Sequence, residues 1–251
     1  MPSYRIDLSW DGFAYCGWQK QPNQRSIQDC VERALRQLFG GEEINVQAAG
    51  RTDAGVHALQ QIVSFRSKAS RSTRQVQRGL SSLLPRDIVC LGAWEMPDDF
   101  QARYHSKQKK YRYRILHREM PCPFRHKYTW HSSYSLDIVA MQKAAPLFEG
   151  THDFASFRSQ GCSATSTVRT VASSELLLRD DELHFEVVGK GFLRHQVRIM
   201  MGTLFEIGLG QKKEDAILLG LKHSDRKLSG QTAPAHGLCL VWTSLLDSID
   251  Q

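Results

Sequence analysis

The stretch Ala48-Ala-Gly-Arg-Thr-Asp-Ala-Gly-Val-His-Ala58 lies between two apolar runs, residues 44–49 and residues 62–65. Apolar runs bounded by glycine and small polar residues are typical of strands joined by a tight loop. The loop carries a cation, a hydroxyl, a carboxylate, a glycine and an imidazole in quick succession. Loops on rigid scaffolds are where catalytic and binding residues concentrate. We therefore predict a strand, a loop and a strand, with the functional residues in the loop.

The segments around this stretch predict one α/β unit. Residues 4–10 alternate apolar and polar side chains, which indicates a half-buried strand. Ser26, with Asp29 three positions later, is typical of a helix N-terminus. Helical spacing of apolar residues over 76–84 predicts a second helix, and a strand follows over 88–94. The order is βαββαβ, the split βαβ unit in which two helices pack on one face of a four-stranded antiparallel sheet.

A second unit is predicted after residue 105. Residues 97–106 lack a strong period and carry charges and a proline, so we interpret them as a linker. Beyond them the alternating pattern restarts, and a chain of 251 residues is long enough for two domains. We expect an α+β protein with an N-terminal domain over residues 1–105 and a C-terminal domain of similar kind over residues 106–251.

Two segments of the second half place basic residues in regular structure. Helical spacing over residues 192–207 puts Arg194 and Arg198 one turn apart on the same side of a helix. Residues 109–115 alternate as a strand of basic and aromatic side chains, which suits nucleic acid binding or, alternatively, an exposed edge strand. The aromatic residues of loop 13–21 also allow two interpretations, stacking on bases or anchoring in the core.

The charge of the chain points to a class of partner. The formal net charge is +7 at neutral pH and the isoelectric point is about 9.2. An excess of basic residues favours a polyanionic partner over a small neutral one. The alternative is a basic composition without a special partner, and between the two we favour nucleic acid.

Several classes of protein are disfavoured by what the sequence lacks. It has no signal-peptide pattern and no run near the roughly 18 apolar residues of a membrane span, so we expect a cytoplasmic protein. The six cysteines are scattered without a C-x-x-C pair, which predicts free thiols, mostly buried. Histidine and cysteine do not occur at zinc-site spacings, and the P-loop, dinucleotide and serine-hydrolase motifs are missing. We therefore expect neither a metal nor a cofactor.

With metal, cofactor and serine-hydrolase chemistry disfavoured, the remaining candidate for a reactive group is the carboxylate of Asp53, close to Arg51 in a tight loop. A carboxylate is ionised at neutral pH unless burial opposes it, and the guanidinium of Arg51 next to Asp53 favours the charged form. An ionised carboxylate suits a nucleophile better than a general acid. Thr-Asp-Ala-Gly is also a common turn composition. From the residues alone, Asp53 is therefore either a catalytic nucleophile or part of an ordinary turn.

Residues 51–58, Arg-Thr-Asp-Ala-Gly-Val-His-Ala, resemble the catalytic signature of the TruA family of tRNA pseudouridine synthases. Shorter blocks resemble the family in the same order, so the likeness covers essentially the whole chain and is weakest over residues 117–134 and 158–190. An eight-residue signature in this context is highly specific, whereas each shorter block alone is weak. The blocks are Gly17-Trp-Gln-Lys-Gln21, Phe100-Gln-Ala-Arg103, Lys110-Tyr-Arg-Tyr113, Asp153-Phe-Ala-Ser-Phe157, Phe192-Leu-Arg-His-Gln-Val-Arg198 and Ala233-Pro-Ala-His-Gly-Leu238.

The resemblance implies an isomerase that converts uridine in tRNA to pseudouridine without a cofactor. It implies uridines 38–40 of the anticodon stem-loop as targets, each flipped out of its stack for the reaction. Asp53 would be the nucleophile, attacking C1′ of the ribose or C6 of the uracil, or assisting through a glycal. Tyr111 would stack on the target base and help to remove the C5 proton. Arg198 would pair with Asp53 across a central cleft where two antiparallel sheets of RRM/ferredoxin-like type join.

The resemblance also implies contacts with RNA. Arg51 would help to hold the flipped-out nucleotide, and His57 is interpreted as a structural residue that orients the loop. For Arg103 and Arg194 both RNA-backbone contacts and structural ion pairs stay open. The family works as a homodimer in which one tRNA touches both subunits, and we expect the same here. The predicted RNA-binding residues are Arg51, Arg103, Lys109, Lys110 and Arg194.

Two other functions are weighed against the isomerase. A catalytically silent RNA-binding or chaperone protein of the same fold is disfavoured because Arg51, Asp53 and Tyr111 are all present. A phosphodiester or glycoside hydrolase using Asp53 is disfavoured because the sequence shows no recognisable pairing with a second catalytic carboxylate and no metal motif.

Overall fold

The structure is a computed structural model that describes residues 1–162 and 164–245 of the 251-residue chain. The strands in these ranges are β1 (Ser3–Trp10), β2 (Gln47–Ala48), β3 (His57–Arg66), β4 (Ile88–Met96), β5 (Gln108–His117), β6 (Trp130–Ser132), β7 (Gly150–Asp153), β8 (Val168–Arg179), β9 (Glu182–Gly189) and β10 (Leu238–Ser244). The helices are α1 (Ile27–Leu38), α2 (Thr73–Leu83), α3 (Ala102–His105), α4 (Ile138–Ala144), α5 (Gln196–Gly208) and α6 (Asp215–His223). The predicted α+β class is confirmed.

The described chain divides into two compact units, and the first contains residues 1–107 together with residues 240–245. In this unit β4, β1 and β3 are antiparallel neighbours in that order, and β2 and β10 also pair with β3. Helices α1 and α2 contact each other, and α2 packs along β4. The predicted order βαββαβ over the first 96 residues is confirmed.

Side-chain caps fix the starts of the two helices in the first unit. As predicted, α1 begins after Ser26, whose hydroxyl accepts a hydrogen bond of 3.2 Å from the backbone N–H of Asp29. Helix α2 begins with a complete capping box, in which Ser72 and Gln75 each accept a hydrogen bond from the backbone N–H of the other. Such caps satisfy backbone donors that the first helical turn leaves unpaired.

Residues 97–106 belong to the first unit rather than forming a linker. Phe100 and Ala102 are buried and pack against Ala49 and Ile62. The backbone N–H of Ala102 donates to the hydroxyl of Ser64 on β3 at 3.0 Å. The segment has no strong sequence period because a few anchoring side chains, not a regular apolar face, hold it to the sheet.

The last strand returns the chain to the first unit. The backbone N–H of Thr243 donates to the Gln60 side chain at 2.7 Å, and its hydroxyl donates to the Gln61 side chain at 3.0 Å. The backbone N–H of Lys107 donates to the carbonyl of Ser244 at 2.8 Å. The sequence predicts that every residue after 105 belongs to the second domain. In the structure, residues 240–245 belong to the first unit instead, because these hydrogen bonds lead to β3.

The second unit contains residues 108–239. Strands β5, β9, β8 and β7 are antiparallel neighbours in that order, and β6 pairs with β5 in parallel. Helix α5 packs against α4 and β5, and four fully buried phenylalanines contribute to the core. These are Phe148, Phe154, Phe157 and Phe185.

Helix α5 starts later than its sequence pattern predicts. Leu193 is buried like a helical core residue, but it lies before the helix, and its backbone N–H donates to the Gln196 side chain at 2.8 Å. His195 has a φ of 62°, a left-handed conformation that cannot continue a helix. The prediction of Arg194 and Arg198 on one helical face is therefore wrong, because Arg194 precedes the helix.

The basic residues of β5 face acidic residues of β9. Lys110 and Arg112 both form salt bridges with Glu186, the latter at 2.6 Å. Arg114 forms a bidentate pair with Glu182. Burial by itself raises the pKa of Glu182, but hydrogen bonds from Arg114, His184 and Arg125 outweigh burial and lower it to about 2. Because β5 has neighbours on the sheet and Lys110, Arg112 and Arg114 are paired with acidic residues, these contacts favour a structural role over an exposed edge.

All six cysteines lie in the described ranges and are free thiols. Cys30 and Cys90 are buried, whereas the other four cysteines are half-buried. The prediction that most of the thiols are buried is therefore wrong. Among the described residues, no helix is both long and apolar enough to cross a membrane.

Candidate active site

The sequence signature forms a loop, residues 49–56, that we call the Asp53 loop. It connects β2 to β3, as predicted, although β2 is shorter than the apolar run before it and β3 begins already at His57. The backbone N–H of Val56 donates to the carbonyl of Asp53 at 3.2 Å and closes a turn. The Gln61 side chain donates to the carbonyl of Gly50 at 2.9 Å. The backbone that carries Asp53 is therefore held at both ends of the loop.

A second loop, residues 11–21, packs directly on the Asp53 loop, and we call it the Gly17 loop. The backbone N–H of Trp18 donates to the carbonyl of Thr52 at 3.1 Å, and that of Gly55 donates to the carbonyl of Tyr15 at 3.2 Å. Gly17 has a φ of +100°, and a Cβ atom there would lie 2.6 Å from the Thr52 carbonyl oxygen. Only glycine combines this conformation with so close an approach.

The aromatic side chains of the Gly17 loop have different environments. Tyr15 and Trp18 are each 3% exposed, and the Trp18 ring lies 5.6 Å from that of Trp10. Phe13 is 46% exposed. Of the two predicted interpretations, anchoring in the core holds for Tyr15 and Trp18, which fix the loop that supports Asp53.

His57 is buried at the end of the Asp53 loop. Its Nδ1 lies 3.0 Å from the backbone nitrogen of Gly12 and 3.1 Å from a carboxylate oxygen of Asp11. When neutral, Nδ1 accepts the hydrogen bond from the Gly12 N–H. This geometry supports the interpretation that His57 orients the loop rather than reacting.

Within the signature, exposure changes from residue to residue. Arg51 is exposed, Asp53 is half-buried, and Thr52 between them is buried, with no hydrogen-bond partner for its hydroxyl among the described residues. A half-buried carboxylate on a fixed backbone is accessible to a ligand without free movement of its main chain. That arrangement suits a nucleophile, because positioning supplies a large part of catalysis.

In the second unit, Tyr111 lies on β5 and is 7% exposed. Its ring meets the ring of Phe192 edge to face, with centroids 5.3 Å apart and an interplanar angle of 88°. Tyr113, two residues later on the same face, is fully buried and donates its hydroxyl to the carbonyl of Pro234 at 2.7 Å. A Cβ atom at Gly237 would lie 2.6 Å from the Tyr113 ring. The two tyrosines are therefore firmly placed.

Arg198 lies in the first turn of α5 and is half-buried. Its Nε donates to the carbonyl of Ala233 at 2.8 Å, and the Ala233 N–H donates back to the Arg198 carbonyl at 3.1 Å. Burial raises the pKa of the neighbouring Tyr113, and the charge of Arg198 partly opposes that increase. The segment around Ala233 thus fixes the direction of the Arg198 guanidinium.

Three of the predicted RNA-binding residues are exposed. Arg51 and Arg103 lie on the first unit, and the Arg103 guanidinium stands 5.8 Å from the centre of the Tyr104 ring. Arg194 lies on the second unit, just before α5, and donates to the carbonyl of Gln160 at 3.5 Å. The structure therefore leaves these side chains accessible to a ligand.

The two predicted RNA-binding lysines are engaged inside the second unit. Lys109 is 7% exposed and donates to the carbonyl of Lys190 at 3.2 Å. Burial, together with the charge of Lys190, lowers the pKa of Lys109 to about 8. Lys110 forms its salt bridge with Glu186. RNA binding by these lysines stays a prediction, and their contacts favour a structural role.

The structure adds positioning residues to which the sequence motifs assigned no role. The lack of a side chain at Gly17 lets the Gly17 loop approach the Asp53 loop, and the lack of one at Gly237 leaves room for the Tyr113 ring. The carbonyl of Ala233 accepts the hydrogen bond from Arg198. The available signal was a glycine or alanine inside each family-like block, because small residues in such blocks often permit a close backbone approach. Among the described residues, no three His, Cys, Asp or Glu side chains are grouped so that they could hold a metal ion.

Comparison with known proteins gives consistent matches. The family model described as tRNA pseudouridine synthase matches residues 9–105 and 144–243. The chain is 42% identical over 241 residues to tRNA pseudouridine synthase A of Thermoanaerobacter sp. (strain X514), covering 96% of this chain and 98% of that protein. The corresponding protein of Acetivibrio thermocellus is 42% identical with the same coverage, and that of Geobacter sp. (strain M21) is 41% identical over 242 residues, covering 96% and 98%.

The aligned relatives extend over nearly their whole length and carry one name. This confirms the family resemblance and the enzyme class predicted from the motifs. The chain belongs to the tRNA pseudouridine synthase family.

Proposed function

We propose that this protein isomerises uridine to pseudouridine in tRNA, with Asp53 as the nucleophile. The observation that carries the proposal is the half-buried carboxylate of Asp53 on a loop that the Gly17 loop and His57 hold in place. Family membership supplies the reaction class. The proposed targets are uridines of the anticodon stem-loop, which rests on the likeness of the motifs to the TruA family.

The reaction is an internal rearrangement, so it needs no external oxidant or reductant. The bond between N1 of the uracil and C1′ of the ribose breaks, the uracil turns, and a bond forms between C5 and C1′. The C5 proton is lost and N1 gains a proton, which leaves the composition of the nucleotide unchanged. The carboxylate attacks C1′ or C6, or assists formation of a glycal, and each route uses the ionised form.

The target base must leave the helical stack before Asp53 reaches it. Enzymes that react at a base offset the free energy of unstacking with contacts to the flipped nucleotide in their active site. We assign a contact with the phosphate of the flipped nucleotide to the exposed Arg51 near Asp53, since a guanidinium binds phosphate oxygens in a bidentate manner. We propose that Arg198 stabilises the ionised Asp53 carboxylate, because residues 192–198 resemble the corresponding block of the TruA family.

The experiment that tests this function uses tRNA transcripts carrying tritium at C5 of uridine. The wild-type protein is expected to release tritium to water from a tRNA with uridines at positions 38–40, and to release little when cytidines replace those uridines. The control is a transcript with cytidines at three other uridine positions. No release from any tRNA, at protein concentrations that bind tRNA, would overturn the isomerase and favour the silent RNA-binding protein.

Tyr111→Phe is expected to slow tritium release by about 10²-fold or more, because it removes a hydroxyl proposed to assist departure of the C5 proton. The ring and its edge-to-face contact with Phe192 remain, so tRNA affinity is expected to stay the same. Rates of release under single-turnover conditions and filter-binding constants are the measurements. Tyr134→Phe, at an exposed tyrosine of the same unit, is the control. A Tyr111→Phe variant as fast as wild type would limit Tyr111 to stacking.

We also propose that the active form is a homodimer, by the same family resemblance. Light scattering of the purified protein checks this directly. A mass close to the 28.6 kDa of a single chain at concentrations that support full activity would contradict it.

A further inference from the structure

The second unit contains a pocket of about 570 Å³ that the proposed reaction does not use. It is lined by Ala155, residues 158–162, Arg226 and Thr232. Thr232 directly precedes Ala233, whose carbonyl accepts the hydrogen bond from Arg198. The pocket is therefore a close neighbour of a residue assigned to the reaction, but it has its own lining.

Arg226 presents a positive charge to this pocket. Its guanidinium donates to neutral oxygen atoms, among them the Ser229 hydroxyl at 2.8 Å, the Gly230 carbonyl at 2.8 Å and the Thr232 hydroxyl at 3.4 Å. Burial lowers the pKa of Arg226, and the charge of Glu206 acts in the opposite direction. Arginine remains protonated at neutral pH even so. Its direct hydrogen-bond partners thus fix the direction of the guanidinium without neutralising it.

Two further groups that line the pocket suit an anion. Arg158 adds a second, half-buried guanidinium. Ser159 has its backbone fixed by a 3.2 Å hydrogen bond from its N–H to the carbonyl of Arg194. The Ser159 hydroxyl is buried and has no hydrogen-bond partner among the described residues. A buried hydroxyl without a partner is costly unless a ligand or water completes it.

The thiol of Cys162 belongs to a residue that also lines the pocket. Burial raises its pKa, but the backbone N–H groups of Arg194 and Ala164 and the charges of Arg158 and Arg169 outweigh burial and lower it. A site that favours a thiolate also favours other anions. This observation agrees with the placement of the two guanidiniums.

We propose that this pocket binds a backbone phosphate of tRNA, together with part of its nucleotide, through Arg158, Arg226 and the Ser159 hydroxyl. The proposal rests on the proposed function and adds a contact to it. Two guanidiniums and a hydroxyl are the donors that recognise phosphate oxygens. A volume of about 570 Å³ lies in the range of sites for ligands much larger than an inorganic phosphate. The RNA backbone is therefore the source of the phosphate, rather than a free phosphate ion.

The first test measures the salt dependence of tRNA binding by the full-length protein. Arg158→Gln is expected to weaken binding about tenfold at low salt, and to reduce the slope of log K against log salt by about 0.7 to 0.9, the value for one lost phosphate contact. Arg158 is chosen because Arg226 also anchors the segment from Ser229 to Thr232. Arg179→Gln, at an exposed arginine at the end of β8, is the matched control for charge. Equal affinities and slopes for both variants would overturn the proposal.

The second test follows alkylation of Cys162 by iodoacetamide in the wild-type protein, with peptide mass spectrometry to identify the site. Saturating tRNA is expected to slow alkylation of Cys162 at least about tenfold. Cys122 is the internal control, since it is also half-buried and its pKa is also lowered, chiefly by a hydrogen bond with Arg125. Unchanged alkylation of Cys162 in tRNA would overturn the proposal. Protection by inorganic phosphate but not by tRNA would overturn the assignment to RNA.

These binding tests do not depend on catalysis. Protection of Cys162 by tRNA without any release of tritium would reject the proposed reaction and retain the phosphate site. Release of tritium without protection would reject the phosphate site and retain the reaction.

Discussion

Asp53→Asn is expected to reduce the rate of tritium release from C5-labelled tRNA by more than about 10⁴-fold, the scale of loss when an enzyme loses its nucleophile. Asparagine has nearly the same shape as aspartate but no negative charge. The turn that carries Asp53 is closed by the backbone N–H of Val56, which the substitution leaves in place. The affinity for tRNA is therefore expected to stay within about tenfold of wild type.

Single-turnover release and filter binding on the same tRNA preparation measure the two effects separately. Asp99→Asn, at an exposed aspartate of the same unit, removes the same charge and is expected to change neither quantity. If Asp53→Asn instead abolishes tRNA binding or unfolds the protein, Asp53 is a structural turn residue and the nucleophile must be sought elsewhere.

Gly17→Ala is expected to lower the rate of tritium release about 100-fold at saturating tRNA, although residue 17 takes no part in the reaction. A Cβ atom at residue 17 would lie 2.6 Å from the Thr52 carbonyl oxygen and 2.9 Å from the Asp53 carbonyl carbon. The Asp53 loop must move to relieve this contact. A displacement of about 1 Å at a catalytic group is enough for a loss of this size.

The matched control for Gly17→Ala is Gly41→Ala. Both glycines have a similar positive φ, +100° and +94°, but a Cβ atom at Gly41 would meet no atom within 4 Å beyond its two chain neighbours. Both substitutions therefore cost about 1 to 2 kcal/mol of backbone strain, and only the first displaces the Asp53 loop. Thermal unfolding measures the shared cost, and tritium release measures the difference. Equal rates for the two variants would show that the Gly17 loop does not position Asp53.

Local patterns in the sequence were enough to predict most elements of the first unit. The strand over residues 4–10, the start of α1 after Ser26 and the βαββαβ order are all confirmed. Apolar periodicity and N-terminal caps depend on neighbours within a few positions, so they are visible in one dimension. The basic and aromatic strand over residues 109–115 is also confirmed as a strand, β5.

Contacts between distant residues decided what the sequence did not predict. Residues 97–106 are fixed by Phe100 and Ala102 against Ala49 and Ile62, and β10 pairs with β3 through residues about 180 positions away. Neither contact leaves a periodic signal. The start of α5 is likewise set by the left-handed conformation of His195, whereas the apolar pattern continues through it.

The sequence by itself determined the family, the fold class and the candidate nucleophile, because the signature around Asp53 is long, specific and placed between two apolar runs. Only the tertiary structure showed how that residue is supported. Hydrogen bonds from the Gly17 loop and the buried ring of His57 hold the Asp53 loop, and a positive φ at Gly17 permits their approach. Such support depends on backbone groups that come together only in the folded chain, so residue types and spacing alone do not reveal it.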